Sequence, residues 1–171
     1  MGTKLDKPER SVKGLAAEIG KRKPFDLPEQ EAYLNLLRTV SVLSADAERL
    51  LKESGLSEAT YNILRILRGS GEAGRACGEI GRDMITRVPD VTRLVDRLEE
   101  QGLVTRARIA EDRRVVKVQI TRAGLDLLAR LDEPLRQFHK KQFTALTRAE
   151  LSEINRLLVK ARAGLHDQGA D

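Results

Sequence analysis

Apolar residues recur every three to four positions over the first third of the chain, a spacing that is typical of an amphipathic helix. We predict a helix over roughly 29–53, with Asp26 as its cap, Pro28 in its first turn and Gly55 just beyond its end. Its apolar stripe consists of Tyr33, Leu36, Leu37, Val40, Leu43, Ala47, Leu50 and Leu51. The stripe is wide for a helix so close to a terminus, so a partner chain could cover it.

The same spacing predicts two long helices at the other end of the chain. Thr121 is a suitable cap for the first of them, and Pro134 is expected to kink or split it. The sequence T-R-A-E at 147–150 has the pattern of a capping box, so a last helix should follow and end near Gly164. Long helices therefore lie at both ends of the sequence.

Shorter elements are predicted in the middle third. Ser57 can cap a helix over roughly 58–68, and a short helix is expected around 77–84. The segments 103–108 and 116–120 have the length and composition of two short strands. The order of elements is therefore helical at both ends, with a small hairpin between.

A helix-turn-helix fits the two short helices that precede the hairpin. The second of them begins after Thr86, with Pro89 in its first turn, and ends at Gly102. Its inner face carries Val91, Leu94, Val95 and Leu98, and its outer face carries Pro89, Thr92, Arg93, Asp96 and Arg97. Short polar residues beside arginine suit a helix that enters the major groove of DNA, although arginine is also common on ordinary solvent-exposed helices.

Composition and charge permit a nucleic-acid partner and exclude several kinds of site. The chain has 171 residues with a formal net charge of +5, which permits a nucleic-acid partner without requiring one. One cysteine excludes an internal disulfide and a cysteine-based zinc site, and the two histidines have no metal-binding spacing. With no nucleophile paired to a base, no signal peptide and no long apolar run, we predict a cytoplasmic protein that is not an enzyme and holds no metal or cofactor.

Two other motifs have competing interpretations. G-S-G-E-A-G at 69–74 matches the dinucleotide-binding pattern G-x-G-x-x-G, but the preceding Y-N-I-L-R-I-L-R favours a helix rather than the strand that this motif requires. We therefore predict a glycine-rich turn. Cys77 lies near Arg75 and a helix start, which are features of reactive thiols, but a buried and inert cysteine is the commoner case.

Two motifs resemble those of the MarR family (multiple antibiotic resistance regulators). One is V-T-R-L-V-D-R-L-E-E-Q-G-L-V at 91–104, which is similar to the family's recognition helix and the start of its wing. The other is the wing pattern D-x-R-x-x-x-x-x-L-T, present as Asp112, Arg114, Ile120 and Thr121, with isoleucine where leucine is usual. Pro89 and Asp90 depart from the serine or threonine found in many relatives.

The resemblance implies a mainly α fold with a small β-wing, in which a winged helix-turn-helix lobe over 56–120 joins dimerisation helices over 25–55 and 121–165. We further expect a polar N-terminal tail over 1–24, with at most a short helix, and a disordered C-terminal tail over 166–171. By resemblance, the chain is a homodimeric regulator, most simply a repressor, that binds a pseudo-palindromic site on double-stranded DNA. A small anionic or phenolic ligand is expected to release it.

Residue roles also follow from the resemblance. A recognition helix over 88–101 would present Pro89, Asp90, Thr92, Arg93 and Arg97 to the major groove. At the wing tip, Arg114 would reach the minor groove with Arg113 as its helper at phosphate, and Asp112 would hold the wing in shape. The alternative is a winged-helix protein-interaction module that does not bind specific DNA.

Overall fold

The computed structural model describes residues 13–108 and 116–166. In chain order its elements are α1 (Leu15–Glu18), α2 (Pro28–Lys52), α3 (Glu58–Ser70), β1 (Arg75–Ala76), α4 (Cys77–Asp83), α5 (Val91–Glu100), β2 (Val104–Arg108), β3 (Val116–Ile120), α6 (Arg122–Gln142) and α7 (Arg148–His166). A short 3-10 helix, Gly71–Ala73, lies between α3 and β1. None of the helices in the two ranges combines the length and apolar character that a membrane span requires.

The chain divides into two compact units, one up to Asp46 and one from Ala47. The first unit contains α1 and most of α2. Leu15 of α1 is 4% exposed, and the Glu18 carboxylate lies 3.9 Å from the Arg38 guanidinium. Much of the apolar stripe of α2 remains exposed in this unit.

The second unit is built on a three-stranded antiparallel sheet with strand order β1-β3-β2. In this sheet Val118 of β3 pairs with Arg106 of β2 on one side and with Arg75 of β1 on the other. Fully buried side chains from four helices and β3 form its core: Ile63, Leu64, Leu67, Ile80, Val95, Leu98, Val118 and Leu128. The core therefore joins the helix-turn-helix to the sheet and to the first half of α6.

The sequence does not predict β1. A strand of two residues is too short to show the alternation of apolar and polar positions that identifies strands. It forms because the glycine-rich turn before it returns the chain to the free edge of β3. Gly74 has a φ of +59° and is so close to β3 that a Cβ there would lie 2.7 Å from the Val118 carbonyl oxygen.

Helix ends follow local sequence signals closely. Ser57 and Thr60 form a reciprocal capping box at α3, the Thr121 hydroxyl accepts from the Gly124 N–H at α6, and Thr147 and Glu150 bond reciprocally at α7. α5 ends at Glu100 and is followed by Gly102, which has a φ of +70°, and the Leu103 N–H donates to the Leu98 carbonyl. These caps confirm the predicted starts of α3, α6 and α7.

Two predicted helix starts are displaced. α2 begins at Pro28 and the Leu27 carbonyl accepts the first helical bonds, so Leu27 and not Asp26 occupies the cap position. α5 begins at Val91 rather than near residue 88, because the Asp90 side chain caps it. Pro89 therefore lies before the helix and not in its first turn, so that part of the prediction is wrong.

α6 runs from Arg122 to Gln142 with Pro134 inside it, so of the predicted kink or split, the split is wrong. Proline in a helix interior costs about 3 kcal/mol. Leu131 and Leu135, on either side of it, are each 5% exposed. Burying a leucine contributes about 1.5–3 kcal/mol, so the two together offset the cost of the proline.

The predicted tails fall mostly outside the described residues. Residues 1–12 and 167–171 are not described, whereas α1 is the short helix allowed for within 1–24. α7 extends to His166, two residues beyond Gly164, so the tail predicted over 166–171 begins at least one residue too early.

Candidate nucleic-acid interface

Burial of one side of α5 fixes the direction in which its other side faces. Val95 and Leu98 have no exposed surface, and Val91 and Leu94 are half-buried against the same core. The Asp90 carboxylate accepts from the Arg93 N–H at 3.0 Å, which holds the first turn. α5 is thus a short helix anchored along one face and capped at its N-terminus.

The outer side of α5 is polar and positively charged. Thr92, Arg93 and Arg97 are exposed, and within residues 13–108 and 116–166 neither arginine side chain forms an ion pair. Pro89 is exposed just before the helix, and the Asp90 carboxylate is engaged as the cap. The structure therefore brings the predicted residues to one end and one side of α5, where two guanidinium groups remain available for phosphates or base edges.

A residue that the sequence analysis overlooks ties this helix to the hairpin. Arg106 of β2 places its guanidinium 2.6 Å from the Asp96 carboxylate and 2.7 Å from the Glu99 carboxylate, both on α5. Burial alone would lower the pKa of Arg106, but the hydrogen bond and charge of Asp96, with the charge of Glu99, raise it above its ordinary value. Asp96 therefore forms an ion pair with the hairpin and is not a free carboxylate on the outer face of α5.

Strand alternation could have identified Arg106. Val104 is 2% exposed, and residues two apart on a strand point to the same face, so Arg106 must face the same way as Val104. An arginine on the inner face needs acidic partners, and α5 contains them. Which acids it meets depends on how the hairpin folds against α5, and local sequence does not contain that information.

The hairpin itself has the length of a wing. β2 and β3 pair in register from Val104 opposite Ile120 to Arg108 opposite Val116, so residues 109–115 connect the strands at the tip. Asp112, Arg113 and Arg114 belong to that connection and lie outside the described residues. Their roles remain predictions.

The glycine-rich segment does not form a dinucleotide site. It continues α3 into the 3-10 turn Gly71–Ala73, and the element before it is a helix, not the strand that the motif requires. Cys77 is half-buried at the start of α4. The turn that the sequence favours at 69–74 is therefore present.

Comparison with known proteins identifies this arrangement. The profile of the MarR family matches residues 56–116, which cover the helix-turn-helix and most of the hairpin. The HTH-type transcriptional repressor IacR of Pseudomonas putida is 35% identical over 123 residues, or 72% of this chain and 72% of that protein. The chain belongs to the MarR family. It is a DNA-binding transcriptional regulator of the MarR type, and the proteins of this family are not enzymes.

Solved structures agree with the MarR assignment. A MarR transcription factor from Planctomyces limnophilus is 45% identical, with a TM-score of 0.60 over 79% of this chain and 98% of that chain. MepR of S. aureus, solved in complex with DNA, has a TM-score of 0.69 at 21% identity, over 77% of this chain and 97% of that one, and shares the fold. The predicted winged helix-turn-helix architecture is thereby confirmed.

This MarR-family chain also contains a cavity of about 820 Å³ within the unit that begins at Ala47. Its walls include the apolar or aromatic residues Leu51, Tyr61, Ile66, Met84, Val88 and Leu135 and the polar residues Glu48, Glu58, Asn62, Arg65 and His139. The Asn62 side-chain oxygen accepts from the Ile85 N–H at 2.9 Å. Because Ile85 belongs to the loop that leads into α5, one wall of the cavity is continuous with the start of that helix.

Proposed function

We propose that this MarR-family regulator is a homodimeric repressor that reads a pseudo-palindromic operator with α5 and contacts the flanking groove with its wing. The observation that carries the proposal is that Arg93 and Arg97 are exposed, with no ion pair to any described residue, on a helix whose opposite side is buried. Arginine suits this position because its planar fork can bond phosphate or guanine in a bidentate manner. Thr92 lies beside them as a short polar contact.

Exposed apolar surface supports the dimer. On α2, the side chains of Tyr33, Leu36, Leu37 and Val40 are 45–61% exposed although they form one stripe, and on α7 Ile154 and Leu157 are 38% and 47% exposed. Apolar side chains exposed along a helix in this way mark an interface with another chain. A twofold dimer would present two α5 helices to half-sites about one helical turn apart, roughly 34 Å, which is why we expect an inverted repeat.

The cavity supports regulation by a small molecule. We expect a small anionic or phenolic ligand, with its ring against the apolar wall and its charge near Arg65. Arg65 already donates to the Tyr61 hydroxyl at 3.0 Å and lies 3.7 Å from Asp132. A ligand that fits better when the Asn62–Ile85 bond is broken would favour a conformation in which α5 is displaced, and so would release DNA.

Binding to the intergenic DNA beside the gene tests the proposal. Fluorescence anisotropy with a duplex that contains the local inverted repeat should show binding that weakens steeply with salt, with a slope of about −0.9 per phosphate contact. Arg97→Ala should weaken binding by about 5–150-fold, equivalent to 1–3 kcal/mol. Arg130→Ala is the matched control, since Arg130 is exposed on α6 and no ion pair of it is found among the described residues.

The opposite outcome would favour a protein-interaction module. Weak salt dependence, equal affinity for scrambled DNA and equal effects of the two arginine substitutions would together contradict operator recognition by α5.

A further inference from the structure

Arg106 makes an unusually complete set of bonds between the hairpin and α5. Its guanidinium is bonded to Asp96 at 2.6 Å and to Glu99 at 2.7 Å, and a longer bond of 3.5 Å reaches the Thr92 carbonyl. The Arg106 N–H donates to the other Glu99 oxygen at 3.0 Å. One residue of β2 therefore contacts α5 through both its backbone and its side chain.

The three partners lie along a single line on α5. Thr92, Asp96 and Glu99 are four and three residues apart, so they share one side of the helix over two turns. This line is adjacent to the one that carries Arg93 and Arg97. The Arg106 side chain is 25% exposed, and both of its ion pairs are with carboxylates of α5.

We propose that Arg106 is a positioning residue that locks the wing to the recognition helix, so that the two bind DNA as one rigid unit, while Arg106 itself makes no DNA contact. The proposal rests on the proposed function, in which α5 and the wing tip both contact the operator. We name the bonds of Arg106 to Asp96, Glu99 and Thr92 the wing clamp.

Rigidity matters because ordering has a free-energy cost. A hairpin that moves independently of α5 must be immobilised when it meets the groove, and that lost entropy is subtracted from the wing's contribution to affinity. A hairpin already fixed to α5 is held at the groove once α5 has bound. Its tip then binds as an intramolecular second site with a high effective concentration. Without the wing clamp, the contacts of the wing tip should contribute less.

The charge of Glu99 and its bonds to Arg106 predict opposite effects on DNA binding when Glu99 is replaced. Asp96 and Glu99 are carboxylates on the helix that faces a polyanion, so removing Glu99 should strengthen DNA binding if charge alone mattered. Removing Glu99 also removes two of the bonds of Arg106. The variant Glu99→Met therefore separates electrostatics from positioning by the sign of its effect.

The first experiment is a double-mutant cycle on operator binding by fluorescence anisotropy. In the wild type, Arg114→Ala should weaken binding about tenfold, as expected for a charged groove contact. In an Arg106→Met or Glu99→Met background, the same substitution should weaken binding by less than about threefold, because contacts that share a network are coupled. In an Arg130→Met background it should still weaken binding about tenfold.

An equal loss of affinity on Arg114→Ala in every background would overturn the proposal. If Arg106→Met lowers the affinity but the effect of Arg114→Ala is unchanged, Arg106 acts as a DNA contact or as a general support of the fold. If Glu99→Met simply tightens binding and leaves the effect of Arg114→Ala intact, only its charge matters. A partial return of the tenfold effect in Arg106→Lys, which can form one ion pair, would support the wing clamp.

Hydrogen exchange without DNA gives a second, independent readout. Arg106→Met and Glu99→Met should raise exchange rates in β2 and α5 together while leaving α3 and α6 at wild-type rates. Faster exchange in α3 and α6 as well, or an unchanged exchange rate in α5, would contradict the wing clamp. If Arg114→Ala has no effect in the wild type, the proposed wing contact fails, and the exchange rates still decide whether Arg106 joins β2 to α5.

Discussion

At the scale of single residues, Asp132 makes a bidentate ion pair between two helices of the second unit. Its two carboxylate oxygens accept from the Arg68 guanidinium at 2.8 and 3.0 Å, and Arg65 lies 3.7 Å away. The hydrogen bond with Arg68, aided by the charges of nearby arginines, holds the pKa of Asp132 below its ordinary value. This pair joins α6 to α3, and α3 packs against both helices of the helix-turn-helix.

The pH dependence of stability follows from that lowered pKa. A carboxyl whose pKa is lower when folded stabilises the protein above its unfolded pKa, and this stability is lost as pH falls through the folded pKa. Asp132→Asn should therefore lower the free energy of unfolding at pH 7, and the difference from wild type should shrink below about pH 4. Because both partners are about one-third exposed, solvent screening limits the loss to about 1 kcal/mol.

Urea unfolding at pH 7 and at pH 3 measures this effect. Asp126→Asn is the control, since Asp126 pairs with Arg122 on the surface of α6 and Arg122 is 86% exposed. Equal losses for the two variants at pH 7 would show that Asp132 has no special role.

At the scale of elements, the first turn of α6 lies against the hairpin so closely that no side chain fits. A Cβ on Gly124 would overlap the Leu103 carbonyl oxygen and lie 2.7 Å from the Ile120 side chain. The Thr121 hydroxyl also donates to the Gly102 carbonyl at 2.8 Å. Gly124 therefore sets how near α6 can approach both strands of the wing.

Gly124→Ala should destabilise the protein by about 1–3 kcal/mol, because α6 must move away from backbone that cannot yield. Gly164→Ala in α7 is the matched control, since a Cβ there has no atom within 4 Å and alanine is the better helix former. Thermal unfolding should place the two variants on opposite sides of wild type. A neutral Gly124→Ala would mean that α6 and the hairpin can separate without cost.

At the scale of the whole molecule, the proposed dimer depends on the apolar stripe of α2. Replacing Leu36 and Val40 with lysine places two charges in that stripe, so the mass measured by light scattering should fall from that of a dimer to that of a monomer. Asn35→Lys adds a charge on the opposite side of the helix and should leave the dimer intact. Deleting residues 1–54 is a poorer test, because Leu51 is 2% exposed in the core of the second unit.

A double lysine variant that remains dimeric while still folded would exclude this stripe as the main interface. Circular dichroism establishes whether the variant is folded. Loss of the dimer should also weaken binding to the full operator far more than binding to a single half-site, because two linked helices gain from multivalency.

Local sequence was sufficient for much of the fold. The helix periodicity, the caps at Ser57, Thr121 and Thr147, and the glycine after α5 are each set by residues within a few positions of one another. The position of Arg93 and Arg97 on the outer side of α5 follows from the same 3.6-residue repeat. For this reason the order of helices and hairpin strands could be predicted from local sequence, whereas the MarR family came from the resemblance of the motifs at 91–104 and 112–121.

Only the tertiary structure decided the features that join distant segments. β1 pairs with a strand more than 40 residues later, and Pro134 is tolerated because leucines on either side of it are buried by other elements. The wing clamp joins Arg106 to Asp96 and Glu99, and its geometry exists only once the hairpin has folded against α5. The sequence by itself determined the main helices, the two strands of the hairpin and the polar side of α5, because short-range periodicity and caps govern them. Which charged groups face one another across elements was decided by packing, because that depends on contacts between residues far apart in the chain.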